Sequence, residues 1–107
     1  MDFAAMSERA VFIQARYQEL NAQNGHTPWT TAEYLQGFVG DVGALSKLVM
    51  ARNNFREIAD ADRKLGHELA DCLWSIMVIA NELGIDLERE FMATMDTLET
   101  RITDRLA

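Results

Sequence analysis

Basic residues are scarce in this chain of 107 residues. Lys and Arg number 10 against 17 Asp and Glu, a formal net charge of -7. That shortage excludes a general binder of nucleic-acid backbones, whose affinity comes largely from Lys and Arg. There is one cysteine, Cys72, so no intramolecular disulfide can form, which suits a reducing compartment. There is one proline, Pro28, and no hairpin dipeptide sits between alternating runs. Long apolar runs are missing too. The most apolar stretch, Leu73 to Ala80, is too short to span a bilayer. No basic start beside an apolar run marks a signal peptide. A soluble cytoplasmic protein is expected, with no membrane or nucleic-acid partner. Hydrophobic residues make up 49% and charged residues 25%, the balance of a globular protein, and the length suits one domain over residues 1–107.

What the chain has in quantity is helical periodicity. The spacing predicts a first helix from about Ser7 to Asn21, with Ser7 as N-cap and Val11, Phe12, Ala15 and Leu20 as its stripe. Asn24-Gly25 ends it. Thr30-x-x-Glu33 is a capping box that opens a second helix at Thr30 or Thr31, running to about Asn54. A third helix is predicted from about Asp60 to Leu83, stopped by Gly84. The fourth starts from Asp86 and carries Leu87, Phe91, Met95, Leu98 and Ile102, close to coiled-coil spacing. Short connections join antiparallel neighbours, so the expected fold is an all-α, four-helix antiparallel bundle.

Phe38, Val42, Leu45 and Val49 form the predicted apolar stripe of the second helix. Leu65, Leu69, Cys72, Ile76 and Leu83 form that of the third. At about 100° per residue, Asp41 lies at the edge of the first stripe, one residue before Val42. Glu68 lies at the same edge of the second, one residue before Leu69, and Asp71 is one turn further on. Facing helices bring Asp41, Glu68 and Asp71 toward one groove. Three carboxylates together repel and raise each other's pKa. A divalent cation relieves that, and oxygen ligands favour Mg²⁺ or Mn²⁺. The third helix is also apolar nearly all round. Trp74 and Val78 fall on the Asp71 side, away from the main stripe, and a homo-oligomer is expected to cover them.

His67-Glu68-Leu69-Ala70-Asp71-Cys72-Leu73-Trp74, followed by Ile79 to Leu87 (IANELGIDL), resembles the MazG-like nucleotide pyrophosphohydrolases, all-α enzymes. The resemblance covers about Thr31 to Ile102. It implies a MazG-like bundle completed by oligomerisation as a homodimer or homotetramer. It implies conversion of a nucleoside triphosphate to monophosphate and pyrophosphate with Mg²⁺, and a role in removing non-canonical or excess nucleotides. Glu68 and Asp71 match the family's E-x-x-D. Gly40-Asp41-Val42-Gly43-Ala44-Leu45 falls where the family has E-E-x-G-E-L, so Asp41 stands for the second acid and Ala44 replaces the last. A four-carboxylate cage is thus reduced to three, and a catalytically reduced protein that binds nucleotide or a protein partner is the alternative.

Asp41, Glu68 and Asp71 are therefore the expected catalytic and metal-binding residues, with either Asp41 or Glu68 as general base. Lys47, at a position often basic in the family, and Arg52 are the expected phosphate contacts. Trp29 and Trp74 are the expected base platforms. His67 is placed to tune the site. His26 reads as a loop residue, and Cys72 as buried and inert.

Overall fold

The computed structural model describes residues 2–53 and 57–107. Its helices are α1 (Phe3–Gln23), α2 (Thr31–Arg52), α3 (Ala61–Glu82) and α4 (Leu87–Leu106), and no strand occurs among the described residues. The all-α class and the four helices hold. No described helix is long and apolar enough to cross a membrane.

Local chemistry sets the helix ends. Asp2 Oδ1 accepts the backbone N–H of Ala5 at 2.9 Å. The side chain that caps α1 is thus Asp2, and the helix begins one turn before Ser7, which lies inside it. Gly25 follows in the left-handed region at φ 72°. At the start of α2, Glu33 accepts from the backbone N–H of Thr30 at 3.2 Å and from its hydroxyl, so the predicted capping box is present. α2 ends at Arg52 with Asn53 as C-cap; the expected end at Asn54 lies outside the described residues. α3 follows Asp60, and Gly84 at φ 66° turns the chain after it. Asp86 Oδ1 then accepts the N–H of Arg89 at 3.1 Å and opens α4.

α2 packs mainly on α3, and α1 lies against α3. Arg52, at the end of α2, meets Asp62, at the start of α3, at 2.8 Å. Tyr34, near the start of α2, meets Trp74 well along α3, ring centroids 6.3 Å apart. The two helices are therefore antiparallel.

Their packing faces differ from the expected stripes by about one residue. On α2 the covered positions are Tyr34, Phe38, Asp41, Leu45 and Leu48, while Val42 and Val49 are exposed. On α3 they are Leu65, Glu68, Cys72, Ser75 and Ile79, while Leu69, Ile76 and Leu83 are exposed. Both series alternate steps of three and four, the seam spacing of paired helices. Asp41 and Glu68 thus stand within the seam, and not at its edge.

The apolar far side of α3 is covered by the same chain. The indole N–H of Trp74 donates to the carbonyl of Ala10 at 3.0 Å, and Val78 is fully buried. The expectation that these two residues require a second copy is corrected: α1 supplies the cover. Gln14 of α1 is buried as well, and its amide donates to Glu82 Oε1 at 2.5 Å. α4 has no buried residue.

Candidate functional site

Glu68 and Asp71 gather with His67 on α3, and Asp41 of α2 lies close enough to sense Asp71 but outside that group. Asp41 comes from α2, Glu68 and Asp71 from successive turns of α3. Residues three apart on a helix are neighbours, so both α3 acids face the same region. One donor atom each from His67, Glu68 and Asp71 fall within 4.8 Å of one another. Asp41 approaches from the opposite helix.

Electrostatics record the convergence. Burial holds the Asp41 carboxyl above its ordinary range, the neighbouring Asp71 raises it further, and His67 opposes both. Burial also pushes up the Cys72 thiol, with Asp41, Glu68 and Asp71 all adding to the effect. Cys72 is buried, as expected. It sits among the acids as a small neutral spacer.

One atom in this group has no partner. Glu68 Oε2 is buried and accepts no hydrogen bond. An unsatisfied buried acceptor costs about 1–3 kcal/mol. Its position beside Asp71, with Asp41 across the seam, fits a site for a divalent cation. The donors are mainly carboxylate oxygens, the ligand type that suits Mg²⁺ and Mn²⁺.

His67 is more closely engaged than expected. Its Nε2 lies 3.1 Å from Asp71 Oδ2, one helical turn on. The i,i+4 spacing of His67 and Asp71 is visible in the sequence and is the signal that finds this pair. The contact joins two partly exposed groups, with side-chain exposures of 69% for His67 and 40% for Asp71.

The acids border a cleft of about 550 Å³ lined by Asp41, Asp71 and the aromatic residues Tyr17, Trp29, Tyr34 and Trp74. Trp29 stands edge-on to Tyr34 with centroids 5.4 Å apart, and Tyr17 edge-on to Trp74 at 6.0 Å. A Cβ on Gly37 would lie 3.7 Å from the Trp29 ring, so that ring sits over the Gly37 face of α2. Both tryptophans expected to serve as base platforms thus reach one cavity with two of the three acids. Ile13 and Asn21 of α1 also line it; sequence periodicity places them on a helix but not against this cleft. Lys47 and Arg52 are not among the lining residues. Lys47 is exposed, and Arg52 is engaged with Asp62. His26 is an exposed turn residue, as expected, its backbone N–H donating to the carbonyl of Asn21 at 2.8 Å.

No family model, curated protein or solved structure matches this chain.

Proposed function

We propose that this protein is a MazG-like, Mg²⁺-dependent nucleotide pyrophosphohydrolase that converts a (deoxy)nucleoside triphosphate to monophosphate and pyrophosphate, in the cytoplasm and as a homodimer or homotetramer. Nucleotide-pool housecleaning is the matching role. The observation that carries this reading is the unpartnered, buried Oε2 of Glu68, in a seam it shares with two further acids beside an aromatic cleft. Such a carboxylate lowers stability unless something positive binds it. The rings beside it suit a flat heterocycle, and the acids suit a cation that accompanies phosphates.

In this reading Glu68 and Asp71 hold the cation, with Asp41 from α2. Bound Mg²⁺, or Mn²⁺ in its place, would neutralise phosphate charge and lower the pKa of water. Trp29 and Trp74 flank the base. Water adds its oxygen to the α-phosphorus, the bond from that phosphorus to the α–β bridging oxygen breaks, and pyrophosphate leaves. A carboxylate takes the water's proton. Asp41 or Glu68 is the base in this role; burial and the neighbouring Asp71 hold the Asp41 carboxyl above its ordinary range. Lys47 and Arg52 are the proposed contacts for outer phosphates. Arg52 reaches them by leaving Asp62, an exposed pair that is inexpensive to break.

Ala44 favours a second reading. It lies seven residues after Gly37, hence on the face of α2 over which Trp29 sits. A fourth acid is therefore missing on the cleft side. The second reading is a protein that binds nucleotide, or a protein partner, without turnover.

The test is pyrophosphate release from a panel of ribo- and deoxyribonucleoside triphosphates, with Mg²⁺ and with chelator, beside Asp71→Asn. Mg²⁺-dependent release lost in that variant is the expected result. Folded protein that releases nothing from any triphosphate overturns the enzyme reading. Ala44→Glu then separates the two: it restores release in a reduced site and changes little in one where three acids suffice.

A further inference from the structure

His67, Glu68 and Asp71 spell H-E-x-x-D along α3. Residues at i and i+4 share a helix face, and helices that bind zinc through H-E-x-x-H use this spacing for their two metal ligands. Here an imidazole holds the first of those positions and a carboxylate the second. The E-x-x-D correspondence drawn above gives position 67 no ligand role.

The distances suit coordination. His67 Nε2 and Asp71 Oδ2 are 3.1 Å apart. Around a metal with nitrogen and oxygen ligands at about 2.1 Å, two ligands at right angles stand about 3 Å apart and opposite ligands about 4.2 Å apart. A donor atom of Glu68 falls within 4.8 Å of the other two, so a small side-chain rotation closes the set. A second observation points to a ligand. Glu68 Oε2 is buried and accepts no hydrogen bond. Among the described residues no Lys or Arg pairs with Glu68 or Asp71, and the partner of Asp71 is His67.

The imidazole decides which ion fits. Mg²⁺ is bound through oxygen, whereas imidazole suits later first-row ions, whose affinity for such sites rises from Mn²⁺ to Co²⁺ and beyond. We propose that His67, Glu68 and Asp71 bind a divalent first-row transition ion through one imidazole nitrogen and two carboxylates. This inference rests on the cation site proposed above, and it changes both the ion and the ligand set. His67 is a metal ligand, and all three donors come from one helix. Nitrogen on α3 takes the place of the acid that Ala44 lacks on α2. Three protein ligands leave positions for water or for phosphate oxygens. His67 is exposed, so an ion reaches it directly from solvent.

The experiment is calorimetric titration of the full chain with Co²⁺, Mn²⁺ and Mg²⁺, beside His67→Gln and His26→Gln, with pulsed EPR of the Mn²⁺ complex. Co²⁺ is expected to bind at least about 100-fold more tightly than Mg²⁺, and the Mn²⁺ spectrum to carry imidazole nitrogen coupling. His67→Gln removes that coupling and weakens Co²⁺ by at least about 10-fold, which even an outer partner of a metal ligand contributes. It leaves Mg²⁺ affinity within about twofold, since Mg²⁺ uses the oxygens. The position is exposed, so the variant keeps the helical content of the parent by circular dichroism. His26 is the only other histidine and sits in an exposed turn, so His26→Gln changes none of these readouts. Equal loss of Co²⁺ and Mg²⁺ in His67→Gln, with no nitrogen coupling in the parent, means that His67 only orients Asp71. That result overturns the proposal and leaves the cation site standing. Coupling that persists in His67→Gln and disappears in His26→Gln places the ion elsewhere and overturns it too. Absence of binding by all three ions overturns both the proposal and the cation site.

Discussion

The two halves of α3 are built on opposite rules. From Ser75 to Ala80 the buried residues are Ser75, Met77, Val78 and Ala80, mostly apolar and closed by α1. From Leu65 to Cys72 the middle seam position facing α2, between Leu65 and Cys72, is Glu68, and the acids Asp71 and Asp41 lie near it. One half is arranged for cohesion. The other holds like charges together at a cost in stability, and leaves one oxygen unbonded. Helix packing alone asks for apolar residues at both ends. Departure from that rule at one end marks the candidate site, because natural folds break packing rules mostly at functional positions.

Substitutions at the two ends are expected to act in opposite directions. The largest effect belongs to the cohesive half. Met77→Ala removes a buried side chain and is expected to lower unfolding free energy by about 2–3 kcal/mol, read by urea denaturation. A loss near zero would mean that this half is not the stabilising one. Glu68→Leu is the counterpart at the acidic end. In chelator it should raise stability by about 1 kcal/mol by removing the unpartnered acceptor, while Mg²⁺ binding is lost by calorimetry. Destabilisation on that scale would show that Glu68 is held by the fold for packing.

The smallest effect is in the dependence on pH. The folded chain binds a proton at Asp41 more readily than the unfolded chain does, because its carboxyl is raised in the folded state. Its contribution to stability therefore grows as pH falls through that raised value toward the ordinary carboxylate range and is absent at neutral pH, where the charged form is disfavoured. In chelator, the difference in melting temperature between Asp41→Asn and the parent should be positive at neutral pH and shrink on acidification. A difference that widens on acidification would contradict the assignment of Asp41 to a crowded, partly buried position.

Punctuation in this sequence is easier to read than phase. Gly25, Gly84, the Thr30–Glu33 box and Asp86 each have one physical job, and each sits where its chemistry places it. The start of α1 was harder, since Asp2 and Ser7 are both competent caps and only the fold selects between them. The phase of the packing faces was legible at Phe38, Leu45, Leu65 and Cys72, which the expected stripes share with the packed faces, and was missed between them. Val42 and Leu69 are as apolar as the residues that reach the seam, so hydrophobicity assigns them inward and moves Asp41 and Glu68 to the edge. Only the rotation of the two helices against each other reverses that. The convergence of Asp41, Glu68 and Asp71 could still be read, because a common shift of both stripes keeps their relation. The cleft could not, because it needs Tyr17 and Asn21 of α1, whose position against α3 depends on contacts distant in sequence such as Trp74 with Ala10.

Gly84 has a mechanical consequence. A helix of 20 residues is about 30 Å long, and α4 leaves the rest of the chain through a short turn in which Gly84 holds φ 66°. At that radius, a rotation of about 10° at the turn carries the far end of α4 through roughly 5 Å. The direction in which α4 leaves is thus set within the few dihedral angles from Leu83 to Asp86, Gly84 among them. A side chain at position 84 would meet no steric obstacle nearby, yet would disfavour that angle. Its effect would be felt at Leu106, the far end of α4, more than at the turn itself.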